Sequence, residues 1–407
     1  MSLLNAARTS VKSSSYLRSD EKEPAFGFLS SRLIGLSWAH LLNDGAANYL
    51  PGILPALLVN LNQPVSMAGA LMGALIMVQS MQPLAGRLAD HLGGKSLIVI
   101  GFTLSIAGGA LLGFAPNMWA VVAVLAMIGA GNTLFHPQSL AAVRSLPGKA
   151  TGARMSFFLI GGETGRGLWP SVTSFLIVTY GMPALWLTAI PAIVTFPLLL
   201  RWAPSLPKRD ESAPRIRWRT KARPLAAIII FGGVRSFSIY GSVTFIPILW
   251  HLHGGSLVAG ASIITTLLIV GIIGNFAGGH IADRFGFHVP LTVAALIGGA
   301  SIAAAPSVGY GPMLWVIASI IGIALFCSMP MLVLVAQNVF AESRAMGSGV
   351  AIGASNAIGS AALFLVSLLS TRFGVAPLLY VVASASLLTI VGAMLLPRER
   401  VPLAQHT

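Results

Sequence analysis

Long apolar stretches recur along almost the whole chain, each close to the length that a helix needs to cross a lipid bilayer. A hydrocarbon core about 30 Å thick takes about 20 residues of helix at ~1.5 Å per residue. No stretch alternates in polarity as membrane β-strands do. The pattern predicts an all-α integral membrane protein with twelve transmembrane helices, over residues 30–59, 66–89, 96–115, 117–144, 152–180, 183–202, 224–250, 257–281, 289–308, 312–340, 346–371 and 375–396.

Composition agrees with a membrane protein and excludes several other classes. The 407 residues are 55% hydrophobic and 9% charged, whereas soluble domains carry about 25% charged residues. The single cysteine, Cys327, excludes an internal disulfide and a thiolate metal cluster. His251 and His253 lack a carboxylate or thiolate at a fitting spacing, so we predict no metal site. No catalytic constellation is recognisable, and the chain is not expected to be an enzyme.

Lys and Arg concentrate in the tails and in the even-numbered connections between spans. By the positive-inside rule, this predicts cytoplasmic tails at 1–29 and 398–407 and a cytoplasmic basic linker at 204–223. The linker separates two six-helix halves, 30–203 and 224–397. The net charge of +14 is explained by this topology and by attraction to anionic lipids. Nucleic-acid binding is not expected, because no folded basic domain accompanies these charges.

A short motif follows the second span and returns after the eighth. Residues 86–93 read GRLADHLG and residues 279–286 read GHIADRFG, with the first glycines 193 residues apart. A repeat at half the chain length indicates a parallel duplication. The motif resembles the signature of the major facilitator superfamily, which implies two pseudo-symmetric halves that work by alternating access. Its members here are expected to gate the conformational change: Gly86, Arg87, Asp90, Gly93, Gly279, Asp283 and Arg284.

Ionisable residues inside the first span are candidates for proton binding. Such residues cost ~2.5–3.5 kcal/mol to insert and usually serve transport. His40 and Asp44 are four residues apart on one helical face. A membrane-embedded carboxylate beside an imidazole suits a proton site. The alternative is that Asp44 only hydrogen-bonds to backbone where Gly45 and Pro51 loosen the helix.

The fourth span places a proline directly after a histidine. Pro137 is expected to break the helix, and His136 either relays protons, contacts substrate or satisfies the freed backbone. Residues 40–44 and 135–137 resemble the fosmidomycin-resistance group of major facilitators. That resemblance implies a proton-coupled drug exporter of the bacterial inner membrane. The group has Glu after His-Pro, whereas this chain has Gln138, which cannot carry a proton.

The fifth and seventh spans add further embedded charges. Glu163 and Arg166 lie at i, i+3, either as substrate-binding groups or as an ion pair that only offsets their burial. Trp169 replaces a glycine of the superfamily's exporter signature, which weakens the case for antiport. Arg235 needs an anionic partner, which could be Asp44, Glu163 or a substrate.

These features predict a secondary active transporter that exports a small anionic or zwitterionic amphiphile against protons. Asp44, His40 and Glu163 are assigned to proton coupling, with Asp44 the better carrier because its own helix holds no counter-charge. The alternatives are proton-coupled uptake, facilitated diffusion and a sensor that transports nothing. The expected partners are substrate, protons and lipids, without a cofactor, and the chain is expected to be a monomer. The substrate-binding assignments are Asn43, His136, Gln138, Arg166, Trp169 and Arg235.

Overall fold

The computed structural model is helical throughout the part of the chain that it describes. That part comprises residues 29–147, 151–208, 218–308, 310–340, 347 and 349–396. Within it, the side chains of Asp90 and of residues 151–153, 218, 279–280, 282–285, 330 and 334 lie outside the description. The α-helices are α1 Ser31–Asn48, α2 Leu50–Asn60, α3 Met67–Gln79, α4 Gln82–Leu92, α5 Ser96–Leu111, α6 Met118–Ser145, α7 Thr151–Tyr180, α8 Ile190–Trp202, α9 Trp218–Leu252, α10 Leu257–Phe285, α11 His288–Ala304, α12 Met313–Val339, α13 Ser355–Leu368, α14 Ser370–Phe373 and α15 Ala376–Leu395.

Wherever its residues are described, every predicted span coincides with one helix or with consecutive helices. The first span divides where α1 ends at Asn48 and α2 begins at Leu50, with a proline in the first turn of α2. Short 3-10 helices, Leu112–Phe114 and Met182–Ala189, complete the third and sixth spans, and a π-helical turn, Val350–Ala354, precedes α13. Nine helical segments of the described residues are long and apolar enough to cross a membrane. The count of twelve crossings stays a prediction.

The helix break expected at Pro137 is wrong. Helix α6 runs without interruption from Met118 to Ser145, with Pro137 inside it. Proline lacks the N–H that would bond to the carbonyl of Thr133, one turn earlier. Helices α3, α4 and α5 all pack along α6, so neighbouring packing holds the helix continuous through the missing bond.

The helices pack as two groups, α1–α8 and α9–α15. The groups meet through α7 with α10 and through α3 with α13. The hydroxyls of Ser171 and Thr265 lie 2.7 Å apart across this boundary. Ser367 donates to the backbone carbonyl of Ser66 at 3.0 Å. These contacts join the groups toward one end of the bundle, the end that carries Asn62 and Tyr310 and is here called the far end.

Glycines in α7 allow α1 to approach it closely. A Cβ on Gly165 would collide with the backbone carbonyl of Leu41, and one on Gly161 would collide with that of Ser37. Small residues serve this purpose in membrane helix pairs because backbones can then touch. The α1–α7 contact matters for the site, since the polar residues of both helices face the same cavity.

The variant Gly165→Ala is expected to lower the thermal stability of the purified protein. The added methyl group meets a backbone oxygen that cannot move aside, and overpacking of this kind costs about 1–3 kcal/mol. Gly73→Ala is the matched control, because nothing lies within 4 Å of its added Cβ. Thermal unfolding in detergent measures both variants. Equal melting temperatures for the two would contradict the close α1–α7 packing.

Candidate functional site

A large cavity lies between the two helix groups. Its volume is about 2040 Å³, and His40, Asp44 and Arg235 lie in its wall. The wall continues to Arg87 and Lys208, at the end of the bundle opposite Asn62, here called the linker end. Of the described residues, none from the far-end loops lines the cavity. The cavity therefore opens at the linker end, while contacts between the two groups close it at the far end.

Asp44 lies at the base of the cavity, with a side chain that is only 2% exposed. Its Oδ1 accepts hydrogen bonds from the amide nitrogens of Asn43 at 3.1 Å and Asn132 at 3.2 Å. Its Oδ2 lies 3.4 Å from Nη2 of Arg166. A buried carboxylate is stable only when its oxygens receive such donors. Three helices, α1, α6 and α7, supply them.

Two histidines complete the surroundings of Asp44. Nε2 of His40 is 3.5 Å from Oδ2, and Nε2 of His136 is 3.4 Å from Oδ1. The two Nε2 atoms are 3.2 Å from each other. The ring of Phe158 stacks on His40 with centroids 4.1 Å apart, and Gly162 leaves the space that the imidazole fills. The fold therefore brings the two imidazoles and the carboxylate into one cluster, here called the His–Asp cluster: His40, Asp44 and His136.

Arg166 joins Asp44 to Glu163. Its Nη1 lies 3.4 Å from Oε1 of Glu163 and its Nη2 lies 3.4 Å from Oδ2 of Asp44. Asp44 has no arginine or lysine partner on its own helix, as predicted, but the neighbouring α7 supplies Arg166, so its own helix alone does not decide how well Asp44 carries a proton. The Arg166 side chain is 34% exposed and faces the cavity, so it remains accessible to a bound solute.

The His–Asp cluster also has the spacing of a metal site, but its donors argue against one. The candidate ligand atoms lie within 4.8 Å of one another. Zinc bound by histidine and carboxylate needs an oxygen with a free lone pair directed at the ion. Both oxygens of Asp44 already accept N–H groups, and the guanidinium of Arg166 would repel a divalent cation. The arrangement fits a proton better than a metal ion.

Arg235 lies in the second helix group, on α9, and is 7% exposed. Its Nε donates to the carbonyl of Leu325 at 3.1 Å and to Oγ of Ser328 at 2.7 Å. No described carboxylate forms an ion pair with it. Neither Asp44 nor Glu163 is therefore its partner in this structure. Its two terminal nitrogens have no acceptor among the described residues, and the side chain lines the cavity.

Known proteins place this architecture in one family. Residues 36–364 match the Major Facilitator Superfamily. The chain belongs to the major facilitator superfamily. It is 27% identical to the uncharacterized MFS-type transporter YfnC of Bacillus subtilis, over 90% of this chain and 93% of that protein. It is 25% identical to the fosmidomycin resistance protein of Escherichia coli, over 84% of this chain and 87% of that one.

The fold is also that of solved transporters. A bacterial homolog of the human lysosomal transporter Spinster, in an inward-facing and occupied conformation, superposes with a TM-score of 0.71 at 15% identity. The superposition covers 89% of this chain and 93% of that one. At this identity the likeness shows the fold alone. The family match and the nine apolar helices of the described residues make the chain a multi-pass membrane protein of a transporter family.

The superfamily's loop motif lies at the linker end, where it meets the start of the basic linker. Gly93 has a positive φ of 62°, which suits glycine, and Gly94 pairs with Leu206 as an isolated antiparallel bridge. Gly86 and Arg87 line the cavity near its mouth. The expected gating role stays a prediction. The structure describes only the helical backbone at four residues of the two motifs, and their side-chain surroundings lie outside the described part: Asp90, Gly279, Asp283 and Arg284.

Three residues assigned to substrate binding have other surroundings. Asn43 is fully buried and donates to Asp44, and it does not line the cavity. Gln138 accepts from the backbone N–H of Ile98 and donates to the carbonyl of Gly93. It thus caps the first turn of α5, whose N–H groups lack helical partners. Trp169 packs over Gly45 and is likewise absent from the cavity wall. Gln138 does line the cavity, but both ends of its amide are engaged by backbone groups. Oδ1 of Asn43 and Nε1 of Trp169 have no hydrogen-bond partner among the described residues, but both atoms are buried and neither residue lines the cavity.

Sequence reasoning missed Tyr240; it named Asn132 as a cavity-lining or interhelical hydrogen-bonding residue but did not identify its partner. Asn132 donates a hydrogen bond to Asp44, 88 residues earlier in the chain. The packing of α1 against α6 brings these two residues together, and their spacing in the sequence does not reveal it. Tyr240 lines the cavity within electrostatic range of both Arg166 and Arg235. A signal for Tyr240 existed, since polar and apolar cavity residues of α9 recur every three or four positions: Arg235, Ser236, Ile239, Tyr240 and Val243.

Proposed function

We propose that the protein exports a small anionic or zwitterionic amphiphile in exchange for protons, by alternating access. One cavity contains both the His–Asp cluster and the Arg235 guanidinium, whose two terminal nitrogens have no acceptor among the described residues, and this observation carries the proposal. The guanidinium suits an anionic group on the substrate, and the cluster suits a proton. The fosmidomycin resistance protein, by its name, protects against a small compound, which supports export.

The cavity wall supports an anionic substrate. Five Lys or Arg residues and two carboxylates are among its described lining: Arg87, Arg144, Arg166, Lys208 and Arg235 against Asp44 and Glu163. A cleft of one charge sign concentrates ligands of the opposite sign. Apolar side chains also line it, including Ile264, Leu268 and Phe326. A solute with an acidic head and an apolar body matches both kinds of surface.

The energy source in this proposal is the proton gradient of the bacterial inner membrane, without a further cofactor. The linker end, with the tails, faces the cytoplasm by the positive-inside rule. The cavity then opens to the cytoplasm, where an exporter collects its substrate. Protonation of the His–Asp cluster from outside and its release inside would shift the population between the two access states.

Transport driven by an acidic lumen is the expected result in proteoliposomes. An exchanger concentrates substrate in the compartment that loses protons, so liposomes with an acidic lumen should accumulate it whichever way the protein is inserted. The probes are fosmidomycin, an aryl-alkyl carboxylate, the matching phosphonate, an aromatic amino acid and a quaternary ammonium. Protein-free liposomes are the control. Accumulation of the ammonium compound alone would contradict the anionic substrate.

The second candidate is proton-coupled uptake, favoured by one feature of the cluster. A proton on the imidazoles offsets the charge of Asp44 and leaves Arg166 freer to hold a substrate anion. Proton and anion would then bind together rather than exclude each other. The same liposomes distinguish the two functions, because cotransport concentrates substrate when the lumen is alkaline. Counterflow without any accumulation driven by a pH gradient of either sign would indicate facilitated diffusion.

A further inference from the structure

Both imidazoles of the His–Asp cluster are held in one tautomer by backbone carbonyls. Nδ1 of His40 lies 2.8 Å from the carbonyl oxygen of Phe158, on α7. Nδ1 of His136 lies 3.0 Å from the carbonyl oxygen of Asn132, one turn earlier in α6. A carbonyl oxygen only accepts hydrogen bonds, so each Nδ1 must carry the proton that it donates. In a neutral imidazole the other nitrogen, Nε2, is then an acceptor.

Without a further proton, the facing atoms would all be acceptors. The two Nε2 atoms are 3.2 Å apart, and each lies within 3.5 Å of an Asp44 oxygen. Lone pairs at hydrogen-bond distance repel each other unless a proton lies between them. One additional proton shared by the two imidazoles turns the contact between their Nε2 atoms into a hydrogen bond and makes one ring an imidazolium beside the carboxylate.

Asp44 is a poor place for that proton. Its Oδ1 accepts N–H groups from Asn43 and Asn132, and its Oδ2 faces the guanidinium of Arg166. Donors of this kind favour the ionised carboxylate over the neutral acid. The carboxylate is better suited to serve as a fixed counter-ion.

We propose that the His40–His136 imidazole pair, rather than the Asp44 carboxylate, binds the proton that the transport cycle moves. This inference rests on the proposed proton coupling and names the group that performs it. His136 is the entry point, because its side chain is 14% exposed to the cavity while that of His40 is 3% exposed. Asp44 stabilises the imidazolium without taking the proton itself.

The charged groups around the pair come from three packed helices. Helix α1 contributes Asp44, and α7 contributes Arg166 and Glu163, which are linked to each other. Helix α6 contributes His136 itself, followed by Pro137. Arg235 and Tyr240 line the same cavity from α9. Arg166 opposes the added proton and Asp44 favours it, so the pair can both load and release the proton within one cycle.

Nitrogen-15 NMR of histidine-labelled wild-type protein in lipid bilayers tests the proposal without any variant. We expect two of the eight histidines to show a shared proton at neutral pH and to lose it together on alkalinisation. The signal should vanish in His136→Gln and persist in His253→Gln, a control at the far end whose ring stacks on Tyr310. Two neutral rings, together with an infrared carboxylic-acid band that Asp44→Asn removes, would overturn the proposal.

Transport by the same variants adds an independent readout. His136→Gln should lose pH-gradient-driven accumulation at least tenfold, and by more than any change in its counterflow, whereas His253→Gln should retain both activities. Full gradient-driven accumulation by His136→Gln would overturn the proposal. The NMR signal is recorded without substrate or gradient, so it identifies the proton site even if transport ignores the gradient. Transport that does not depend on the pH gradient would overturn the proposed proton coupling, and not the assignment of the proton site.

Discussion

Replacing Arg235 by Gln should weaken the binding of anionic solutes by at least about 30-fold while leaving the protein at least as stable. The guanidinium is buried, its terminal nitrogens have no described acceptor, and no described carboxylate pairs with it. A buried charge without a partner destabilises the folded state, so its removal should not lower the melting temperature. Loss of one member of a buried charge pair with substrate costs about 2–5 kcal/mol, or roughly 30- to 5000-fold in affinity.

Two further variants make this result specific. Arg235→Lys keeps the charge but loses the planar fork, so intermediate affinity is expected. Arg87→Gln removes an equal charge from the exposed mouth of the cavity, where such a change alters association rate and salt dependence more than affinity. Binding is measured by calorimetry in detergent with the anionic probes, beside thermal unfolding. Unchanged affinity in Arg235→Gln would remove Arg235 from the substrate site.

Sequence periodicity anticipated the helices but not their contacts. Apolar runs of about 20 residues report directly on a bilayer, so each predicted span coincides with helix wherever the structure describes its residues. Proline was the weaker signal. Pro137 lies inside a continuous helix, whereas the division between α1 and α2 lies just before Pro51. A helix that continues through a proline loses one backbone hydrogen bond wherever the proline lies, so tertiary packing decides whether the helix continues or divides there.

The residues of the site could be predicted from the cost of placing charges in a membrane, but the contacts between them could not. Asp44, His136, Arg166 and Arg235 stand out because polar groups inside apolar spans are expensive. Their partners come from other helices, up to 122 residues away for Asp44 and Arg166. The i, i+3 rule paired Arg166 with Glu163 correctly but could not reveal its second partner. The run of glycines in α7 was the one sequence feature that indicated the close contact with α1, and therefore the contact between Arg166 and Asp44.

Asp44→Asn is the second variant from which we expect a large effect. It keeps the shape of the side chain but removes the charge that both imidazoles and Arg166 face. The shared proton then loses its counter-ion, and Arg166 retains only Glu163. We expect pH-gradient-driven accumulation to fall at least tenfold. Substrate-for-substrate exchange should survive, because exchange moves no net protons and Arg235 is untouched.

Glu163→Gln is the matched comparison, since it also neutralises a carboxylate that contacts Arg166. Its side chain is 21% exposed, against 2% for Asp44, and it contacts neither histidine. Arg166 keeps Asp44 as its partner in this variant, so the fold and the coupling should both survive, with an effect confined to substrate affinity. Gradient-driven uptake and counterflow, measured on both variants in the same liposomes, separate the roles. If Asp44→Asn still concentrates substrate against its gradient, the His–Asp cluster does not couple protons to transport.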